Sequence, residues 1–376
     1  MTPKRNVPAR VAVLGAGSWG TTFGKILADG GSSVTMWARR DELATEIRER
    51  HRNSDYLPGT VLPESMTATT SLATAVRGAE AVFISVPSQS LRENLLALAP
   101  HLGPKTVVVS LMKGVEKSTG MRMSEVIAEV LQIDSARIAV ASGPNLAREI
   151  AQEQPTAAVI SSASIETAQE IALLARNRYF RSFINNDVIG TEFGGVLKNL
   201  IAVAIGIVDG VGYGENTKAS IITRGLVEMT DFAVAHGAEP ETLSGLAGLG
   251  DLIATCQSPL SRNNTAGRLL GQGYSVAAVT KQMQQTVEGL ASVAPILELA
   301  RRIGVDMPIV EQVDRVLRGT MQPRDIGPHL TTTDADEPQG ERTNDDKHDN
   351  GRGALRGALQ RAFDQFRHGG RSARRD

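Results

Sequence analysis

The feature that most restricts the fold is a run of ten residues near the start of the chain, residues 11–20, with the sequence Val-Ala-Val-Leu-Gly-Ala-Gly-Ser-Trp-Gly. Its apolar start predicts a buried strand, the glycine spacing predicts a tight turn, and residues 21–28 predict a helix. In such a unit Gly15 allows the turn, Gly17 leaves room for a pyrophosphate, and Gly20 lets helix and strand pack closely. The alternative is a glycine-rich turn without a ligand, but the flanking strand and helix favour dinucleotide binding.

Length and composition exclude several classes of protein. A chain of 376 residues exceeds what one hydrophobic core usually holds, so two domains are expected. A net charge of −1 and an aromatic content of 4% argue against a nucleic-acid-binding protein. The single cysteine, Cys256, fits a reducing compartment, and no apolar leader precedes the first strand, so a cytoplasmic location is expected. The most apolar stretch, residues 196–208, is too short to span a bilayer, so we expect no integral membrane segment.

Strand-like and helix-like segments alternate through the first half of the chain, which predicts a Rossmann-type, doubly wound parallel sheet. Ligands of such sheets bind beyond the carboxyl ends of the strands. Lys113, Gly143 and Asn145 each follow a predicted strand end. We therefore expect them to share one crevice with the glycine-rich turn. The strands are predicted at 33–37, 81–86, 106–110, 138–142, 157–161 and 180–184, and the helices between them at 91–99, 121–131 and 165–176.

The pattern changes at about residue 188, after which long helical segments predominate. We predict a dinucleotide-binding domain over residues 1–187 and an all-α substrate and catalytic domain over residues 188–330. Residues 331–376 are polar and charged without periodicity, which is typical of a disordered tail. The alternative for this tail is a short basic amphipathic helix that contacts a partner or a membrane surface, because its four large apolar residues, Leu355, Leu359, Phe363 and Phe366, fall on one helical face.

Two arginines, Arg39 and Arg40, follow the second predicted strand. An acidic residue at this place holds the ribose 2′-hydroxyl of NAD, whereas an arginine accommodates the 2′-phosphate of NADP. The pair therefore favours NADPH, with NADH as the second choice. The alternative is a solvated charge pair at the start of a helix, and the sequence does not decide which of the two arginines contacts the cofactor.

Lys198 lies in a predicted helix that has almost no polar face. At helical spacing it shares its face with Gly194 and Gly195. Two glycines inside a helix lower its stability, which suggests that another group occupies the space beside them. An apolar surrounding destabilises the ammonium and lowers its pKa towards the range useful for a general acid or base. The alternative is a lysine whose stem is buried and whose ammonium reaches solvent.

A second group of polar residues follows a Gly-Leu-Gly turn. Asp251 is either an N-cap or a ligand-binding carboxylate. Ser261, Arg262 and Asn263 open another predicted helix, and a serine hydroxyl, a guanidinium and a helix N-terminus together suit a phosphate group. The sequence leaves both interpretations open. The scattered histidines form no metal-ligand pattern, so no metal is expected.

Taken together, these motifs resemble the bacterial NAD(P)-dependent glycerol-3-phosphate dehydrogenases over about residues 9 to 325. The resemblance is specific because at least seven motifs occur in the same order: residues 15–21 (Gly-Ala-Gly-Ser-Trp-Gly-Thr), 56–59 (Tyr-Leu-Pro-Gly), 113–115 (Lys-Gly-Val), 142–145 (Ser-Gly-Pro-Asn), 196–199 (Val-Leu-Lys-Asn), 248–252 (Gly-Leu-Gly-Asp-Leu), 261–263 (Ser-Arg-Asn) and 287–289 (Val-Glu-Gly).

The resemblance implies reversible reduction of dihydroxyacetone phosphate to sn-glycerol 3-phosphate for glycerophospholipid synthesis, with Lys198 as the acid/base. It implies cofactor contacts from the glycine-rich turn and from Ser18, Trp19, Arg39, Arg40, Lys113, Ala147, Arg262, Val287 and Glu288. It implies substrate contacts from Lys113, Gly143, Asn145, Lys198, Asp251, Ser261, Arg262 and Asn263. Asn145 departs from the serine or threonine that is common in the family.

Two other functions stay open at this point. One is a related dehydrogenase that acts on a hydroxy acid or ketone without phosphate, for which Ser261 and Arg262 would have no use. The other is a non-catalytic nucleotide sensor, which would not need a buried lysine facing two glycines. A homodimer formed through the helical domain is a further hypothesis.

Overall fold

The computed structural model describes residues 8–283 and 287–327. The segment 331–376, with its predicted amphipathic helix, lies outside these residues. The first part of the chain forms one sheet of eight strands in the order β3-β2-β1-β4-β5-β6-β7-β8. The strands are β1 (Arg10–Leu14), β2 (Ser33–Trp37), β3 (Met66–Thr69), β4 (Ala81–Ile84), β5 (Val107–Ser110), β6 (Ile138–Ser142), β7 (Thr156–Ser162) and β8 (Phe180–Asn185).

Helices cover both faces of the sheet and then form a second, all-helical part. Those of the first part are α1 (Ser18–Asp29), α2 (Asp41–Arg50), α3 (Leu72–Val76), α4 (Leu91–Leu98), α5 (Met123–Leu131), α6 (Ala147–Ala151) and α7 (Ile165–Leu174). Those of the second part are α8 (Val188–Val211), α9 (Glu215–Ala235), α10 (Pro240–Ser244), α11 (Asp251–Gln257), α12 (Arg262–Gly271), α13 (Val276–Met283), α14 (Glu288–Ile303) and α15 (Pro308–Leu317). The predicted Rossmann-type sheet with a helical second part is confirmed.

The sheet differs from a wholly parallel one at β7, which runs antiparallel to β6. The connection between them contains only α6, which has 5 residues and is therefore about 7.5 Å long. A crossover helix must run back along a strand of about 16 Å before a parallel neighbour can start. Because α6 is too short for this, the chain re-enters the sheet from the same edge.

Strand β3 was not predicted. Its sequence, Met-Thr-Ala-Thr, has 4 residues and only two buried positions, so it lacks the apolar run that marked the other strands. It is stabilised by parallel pairing with β2, for example between Thr67 and Thr35. Its position at the sheet edge is therefore a consequence of tertiary pairing.

Helix α8 is the centre of the helical part. It has 24 residues, and every position from Gly190 to Val208 is buried. By length and composition it is the one helix in the described residues that could cross a membrane, but 83% of its most apolar window is buried inside the protein. The prediction concerned the apolar stretch 196–208, whereas the helix that contains it, Val188–Val211, is long enough to span. Its burial among the other helices identifies it as a core helix.

Helices α8 and α12 approach each other unusually closely. A Cβ added to Gly206 would lie 2.2 Å from the carbonyl oxygen of Asn264, and one added to Gly267 would lie 2.2 Å from that of Val203. Only glycine allows the two backbones to meet at this distance. The contact fixes the start of α12, and with it residues 261–263, beside the middle of α8.

Candidate active site

The glycine-rich turn between β1 and α1 has the geometry of a phosphate cradle. Gly15 adopts a φ of +108°, and a Cβ there would lie 2.3 Å from the carbonyl oxygen of Ser85. A Cβ on Gly20 would lie 2.0 Å from the carbonyl oxygen of Gly15, whereas one on Gly17 would meet nothing within 4 Å. The first and third glycines are therefore needed by the fold, and the second keeps space open at the start of α1. No side chain caps this helix, so its first N–H groups can donate to a pyrophosphate.

We expect Gly17→Ala and Gly20→Ala to separate binding from folding. In Gly17→Ala the added methyl enters only the open space, so dinucleotide affinity should fall about tenfold or more while the melting temperature stays within about 2 °C. In Gly20→Ala the methyl meets backbone, so the free energy of unfolding should fall by about 2 kcal/mol or more. Isothermal titration calorimetry with NADP⁺ and thermal melting would measure both. A Gly17→Ala variant that binds normally would contradict the assignment of the cradle.

The loop after α2 supports the cradle from behind. The buried amide of Asn53 donates from Nδ2 to the carbonyl oxygen of Ala16 (2.9 Å) and to Oγ1 of Thr21 (2.8 Å). The hydroxyl of Ser18 donates to the carbonyl oxygen of Tyr56 at 2.7 Å. Trp19 packs its ring on Phe23, with the centroids 5.4 Å apart. The cradle is thereby held in one conformation before a ligand arrives.

Arg39 and Arg40, predicted at the ribose end of the dinucleotide, are both exposed. Arg40 donates from Nη2 to Oδ2 of Asp55 at 2.6 Å and lies over the ring of Tyr56, 5.9 Å from its centroid. Arg40 therefore forms an ion pair with the loop that supports the cradle.

Two lysines from different parts of the chain meet at one carboxylate. Lys198, in α8, donates from Nζ to Oδ1 of Asp251 at 2.7 Å, and Lys113, which follows β5, donates to the other oxygen, Oδ2. Lys113 also donates to the carbonyl oxygen of Gly143 at 3.1 Å. Asp251 is 1% exposed and Lys198 is 7% exposed. The carboxyl edge of the sheet and the core of the helical part thus contribute to one buried ionic cluster.

Asp251 is not an N-cap. It is the first residue of α11, where Gly250 holds the cap position, and its carboxylate points to the lysines instead. The surroundings of Lys198 are also less apolar than the sequence suggested, because its ammonium donates to the carboxylate of Asp251 and to the hydroxyl of Thr255. An apolar wall alone is therefore a wrong description of this site.

The two glycines beside Lys198 make the cluster sterically feasible. A Cβ on Gly194 would lie 2.5 Å from the carbonyl oxygen of Ala247, in the π-helical turn that precedes Asp251. A Cβ on Gly195 would lie 3.2 Å from Cγ of Lys113. The expectation that another group needs this space is met: the turn carrying Asp251 and the stem of Lys113 occupy it.

The charges and pKa values of the cluster follow from its burial. Two ammonium groups and one carboxylate leave a net charge of +1 in a buried place. Burial lowers the pKa of Lys113 to about 8, against the opposing effect of the Asp251 carboxylate. Burial raises the pKa of Cys256 to about 12, so this thiol is protonated at neutral pH and packs in the core, as predicted.

Asn145 and Ser142 lie next to Gly143, at the end of β6. Both polar atoms of the Asn145 side chain and Oγ of Ser142 are buried and make no hydrogen bond within the described part of the chain. Buried polar groups rarely stay unsatisfied, so these atoms fit a ligand that brings donors and acceptors. Ala147, two residues further on, accepts from Oγ1 of Thr22 in α1 at 3.2 Å, which links this edge to the cradle.

The residues predicted to hold a phosphate cluster at the start of α12. Ser261 is the N-cap, and its Oγ accepts from the backbone N–H of Asn264 at 3.2 Å. Asn263 donates from Nδ2 to Oδ1 of Asn199 at 2.8 Å and accepts from the N–H of Gly289 at 3.0 Å. It therefore joins α12 to α8 and to α14.

Glu288, the first residue of α14, brings the helical part back to the sheet edge. Its Oε2 accepts from Oγ of Ser88, which follows β4, at 2.9 Å. Burial lowers the pKa of the Arg262 guanidinium, and the negative charge of Glu288 opposes that shift. Val287 is the N-cap of α14 and is buried. Glu288 thus links the start of α14 to the segment that follows β4.

Sequence reasoning did not single out Thr255, Asn199, Ser88 or Asn53 as site residues. Thr255 follows Asp251 by four positions, which places both on one face of a helix, and this spacing could have revealed it. Ser88 follows a strand end, as the other crevice residues do. Asn53 has no such signal, because its partners in the cradle are set by the path of a loop. Among the described residues no group of three or more His, Cys, Asp or Glu side chains is placed to hold a metal ion.

Comparisons with known proteins identify the family to which this chain is similar. A family model described as NAD-dependent glycerol-3-phosphate dehydrogenase N-terminus matches residues 10–168, and one described as the C-terminus of the same enzyme matches residues 187–327. The chain is 72% identical, over 97% of its own length and all of the relative's, to a glycerol-3-phosphate dehydrogenase [NAD(P)+] of Leifsonia xyli. It is 54% identical to one of Streptomyces griseus, covering 84% of this chain and 94% of the relative.

A solved structure of glycerol-3-phosphate dehydrogenase from Coxiella burnetii is similar to this fold, with a TM-score of 0.82 at 35% identity, covering 86% of this chain and 98% of that one. The family models end at residue 327. The match to the Leifsonia xyli relative leaves only 3% of this chain uncovered, so it extends into the charged segment beyond.

Proposed function

The chain belongs to the NAD-dependent glycerol-3-phosphate dehydrogenase family, and on that premise we propose that it reversibly reduces dihydroxyacetone phosphate to sn-glycerol 3-phosphate with NADPH or NADH. The product supplies glycerophospholipid synthesis. The cytoplasm is the compartment that suits a nicotinamide cofactor and a single buried free cysteine.

The observation that carries this proposal is the shared carboxylate. Lys113 and Lys198 both donate to Asp251, at the place where the carboxyl edge of the sheet meets α8. The net charge of +1 attracts an anionic substrate and stabilises the oxyanion that forms when a carbonyl is reduced. A nucleotide sensor without catalysis has no use for a buried and a partly buried ammonium group at one carboxylate, because each is costly to desolvate.

Within this arrangement the residues have distinct roles. When bound, NAD(P)H would supply the hydride that reduces the substrate carbonyl. Lys198 donates a proton from Nζ to the developing alkoxide and accepts it back in the reverse reaction. Asp251 holds both ammonium groups at fixed positions, and Thr255 accepts a second hydrogen bond from the Lys198 ammonium. Lys113 stabilises negative charge on the substrate oxygens.

The substrate phosphate is assigned to the start of α12. The guanidinium of Arg262, the side chain of Asn263 and the N-terminus of a helix capped by Ser261 provide the donors that a phosphate dianion requires. Gly143 and Asn145 complete the substrate contacts, because the side-chain amide of Asn145 has both polar atoms unused within the described residues.

The cofactor is assigned to the cleft between the two parts. The N-terminal unit, residues 1–187, is proposed to bind the dinucleotide, and residues 188–330 are proposed to bind the substrate and carry the acid/base. The cofactor contacts would come from the glycine-rich turn and from Ser18, Trp19, Arg39, Arg40, Lys113, Ala147, Arg262, Val287 and Glu288. Pairing of two chains through the helical part is a prediction that analytical ultracentrifugation would check.

Oxidation of NADPH and NADH at 340 nm, started by adding dihydroxyacetone phosphate, tests the proposal. We expect turnover with both cofactors, inhibition by simple phosphate esters, and no turnover with an unphosphorylated ketone such as dihydroxyacetone. Turnover of the unphosphorylated ketone at a similar kcat/KM would contradict the phosphate site at residues 261–263. Tight NADPH binding without turnover of the phosphorylated substrate would contradict the reaction itself.

A further inference from the structure

The ion pair between Arg40 and Asp55 lies where the second strand of the dinucleotide fold ends. The side chains are joined at 2.6 Å and are 51% and 57% exposed. Exposed pairs of this kind contribute little stability, because water and salt screen them. The pair can therefore exchange partners at small cost when a stronger anion arrives.

The loop that carries Asp55 also holds the phosphate cradle. Asn53 donates to the carbonyl oxygen of Ala16, Ser18 donates to the carbonyl oxygen of Tyr56, and the Tyr56 ring lies beneath Arg40. Asp55 stands between these two anchored residues. The backbone of Asp55 is thus held close to the cradle, while its carboxylate is free to change partners.

We propose that Asp55 sets the choice between the two nicotinamide cofactors by competing with a ribose 2′-phosphate for Arg40. This inference rests on the proposed NAD(P) site. A 2′-phosphate carries nearly two negative charges at neutral pH and is the stronger partner for a guanidinium. To bind it, Arg40 must leave Asp55, and the carboxylate then repels the phosphate. A 2′-hydroxyl requires neither change.

The surrounding charges support this competition. Besides Asp55, the carboxylate of Glu42 acts on Arg40, and Asp41 follows at the start of α2. Together, Arg39, Arg40, Asp41, Glu42 and Asp55 carry two positive and three negative charges, so this group of residues has no net positive charge. On this inference the chain binds the two cofactors with comparable affinity and does not strongly favour the one that carries the 2′-phosphate.

The expected result is that Asp55→Asn tightens binding of NADP⁺ by about three- to tenfold and changes binding of NAD⁺ by less than about twofold, measured by isothermal titration calorimetry. The gain should shrink at high salt, because it is electrostatic. Glu49→Gln is the matched control: it removes one exposed carboxylate from α2, the helix that precedes the loop carrying Asp55, where its partner is Arg48, and should leave both affinities unchanged.

Arg40→Gln completes a double-mutant cycle. Alone it should weaken binding of NADP⁺ about tenfold, and in that background Asp55→Asn should give less than half of its original gain on a logarithmic scale. Equal effects of Asp55→Asn on NADP⁺ and NAD⁺, or a full gain without Arg40, would overturn the inference. These affinities are measured without substrate. The binding result therefore tests the role of Asp55 even if the proposed reaction does not occur.

Discussion

Replacing Lys198 by alanine is expected to lower kcat for dihydroxyacetone phosphate reduction by about 10³-fold, within the range that general acid catalysis contributes. The ammonium donates to Asp251 at 2.7 Å and to Thr255, so its proton is held in one direction inside a buried site. The cofactor affinity should stay within about twofold of the parent value, because the cradle lies between β1 and α1 whereas Lys198 lies in α8. Stopped-flow absorbance at 340 nm and calorimetry would measure the two quantities.

Two further variants make this prediction specific. Lys198→Arg keeps a positive charge, but a guanidinium holds its proton at neutral pH, so it should recover little of the lost kcat. Lys105→Ala removes an exposed lysine and should have no effect. If Lys198→Arg restored most of the activity, Lys198 would act through its charge and not as the proton donor.

Asp251→Asn is expected to have the second largest effect among these variants, because it should lower both the activity and the free energy of unfolding. The substitution keeps the shape of the side chain but leaves the buried ammonium of Lys198 and the partly buried one of Lys113 without their shared carboxylate. Removing one partner from a buried ion pair typically costs about 3–5 kcal/mol. Chemical denaturation should show a loss of this size in the free energy of unfolding. Asp306→Asn, at an exposed position, should leave the unfolding free energy unchanged.

The pH dependence of activity gives an independent readout of the same cluster. The pKa of Lys113 is lowered by burial to about 8, while the Asp251 carboxylate opposes that shift. The ammonium is therefore present below pH 8 and lost above it, so kcat/KM for reduction should fall as the pH rises through about 8. In Asp251→Asn the supporting charge is gone, so the fall should begin at lower pH. An unchanged alkaline limb in the variant would contradict the role given to Lys113.

The sequence was sufficient for those features that depend on local pattern. The hydrophobic pattern predicted β2 and β6 at their observed bounds, 33–37 and 138–142, because every residue of β6 is buried and the buried Val34 and Met36 of β2 alternate with more exposed positions. The glycine spacing predicted the cradle, since Gly15 has a positive φ, Gly20 packs against the carbonyl oxygen of Gly15, and Gly17 leaves space open. The change of period near residue 188 indicated the helical part. Lys198 stood out because a charge inside an apolar helix is costly.

Features that depend on distant residues were decided by the tertiary structure alone. The antiparallel turn into β7 follows from a short connection, and β3 exists through pairing with its neighbour. The use of one carboxylate, Asp251, by two lysines separated from it by 138 and 53 positions has no local pattern. Nor does the pairing of Arg40 with Asp55, which offsets the charge that the sequence suggested. Local sequence encodes burial and backbone conformation, whereas the partner of each charge is set by how the elements pack.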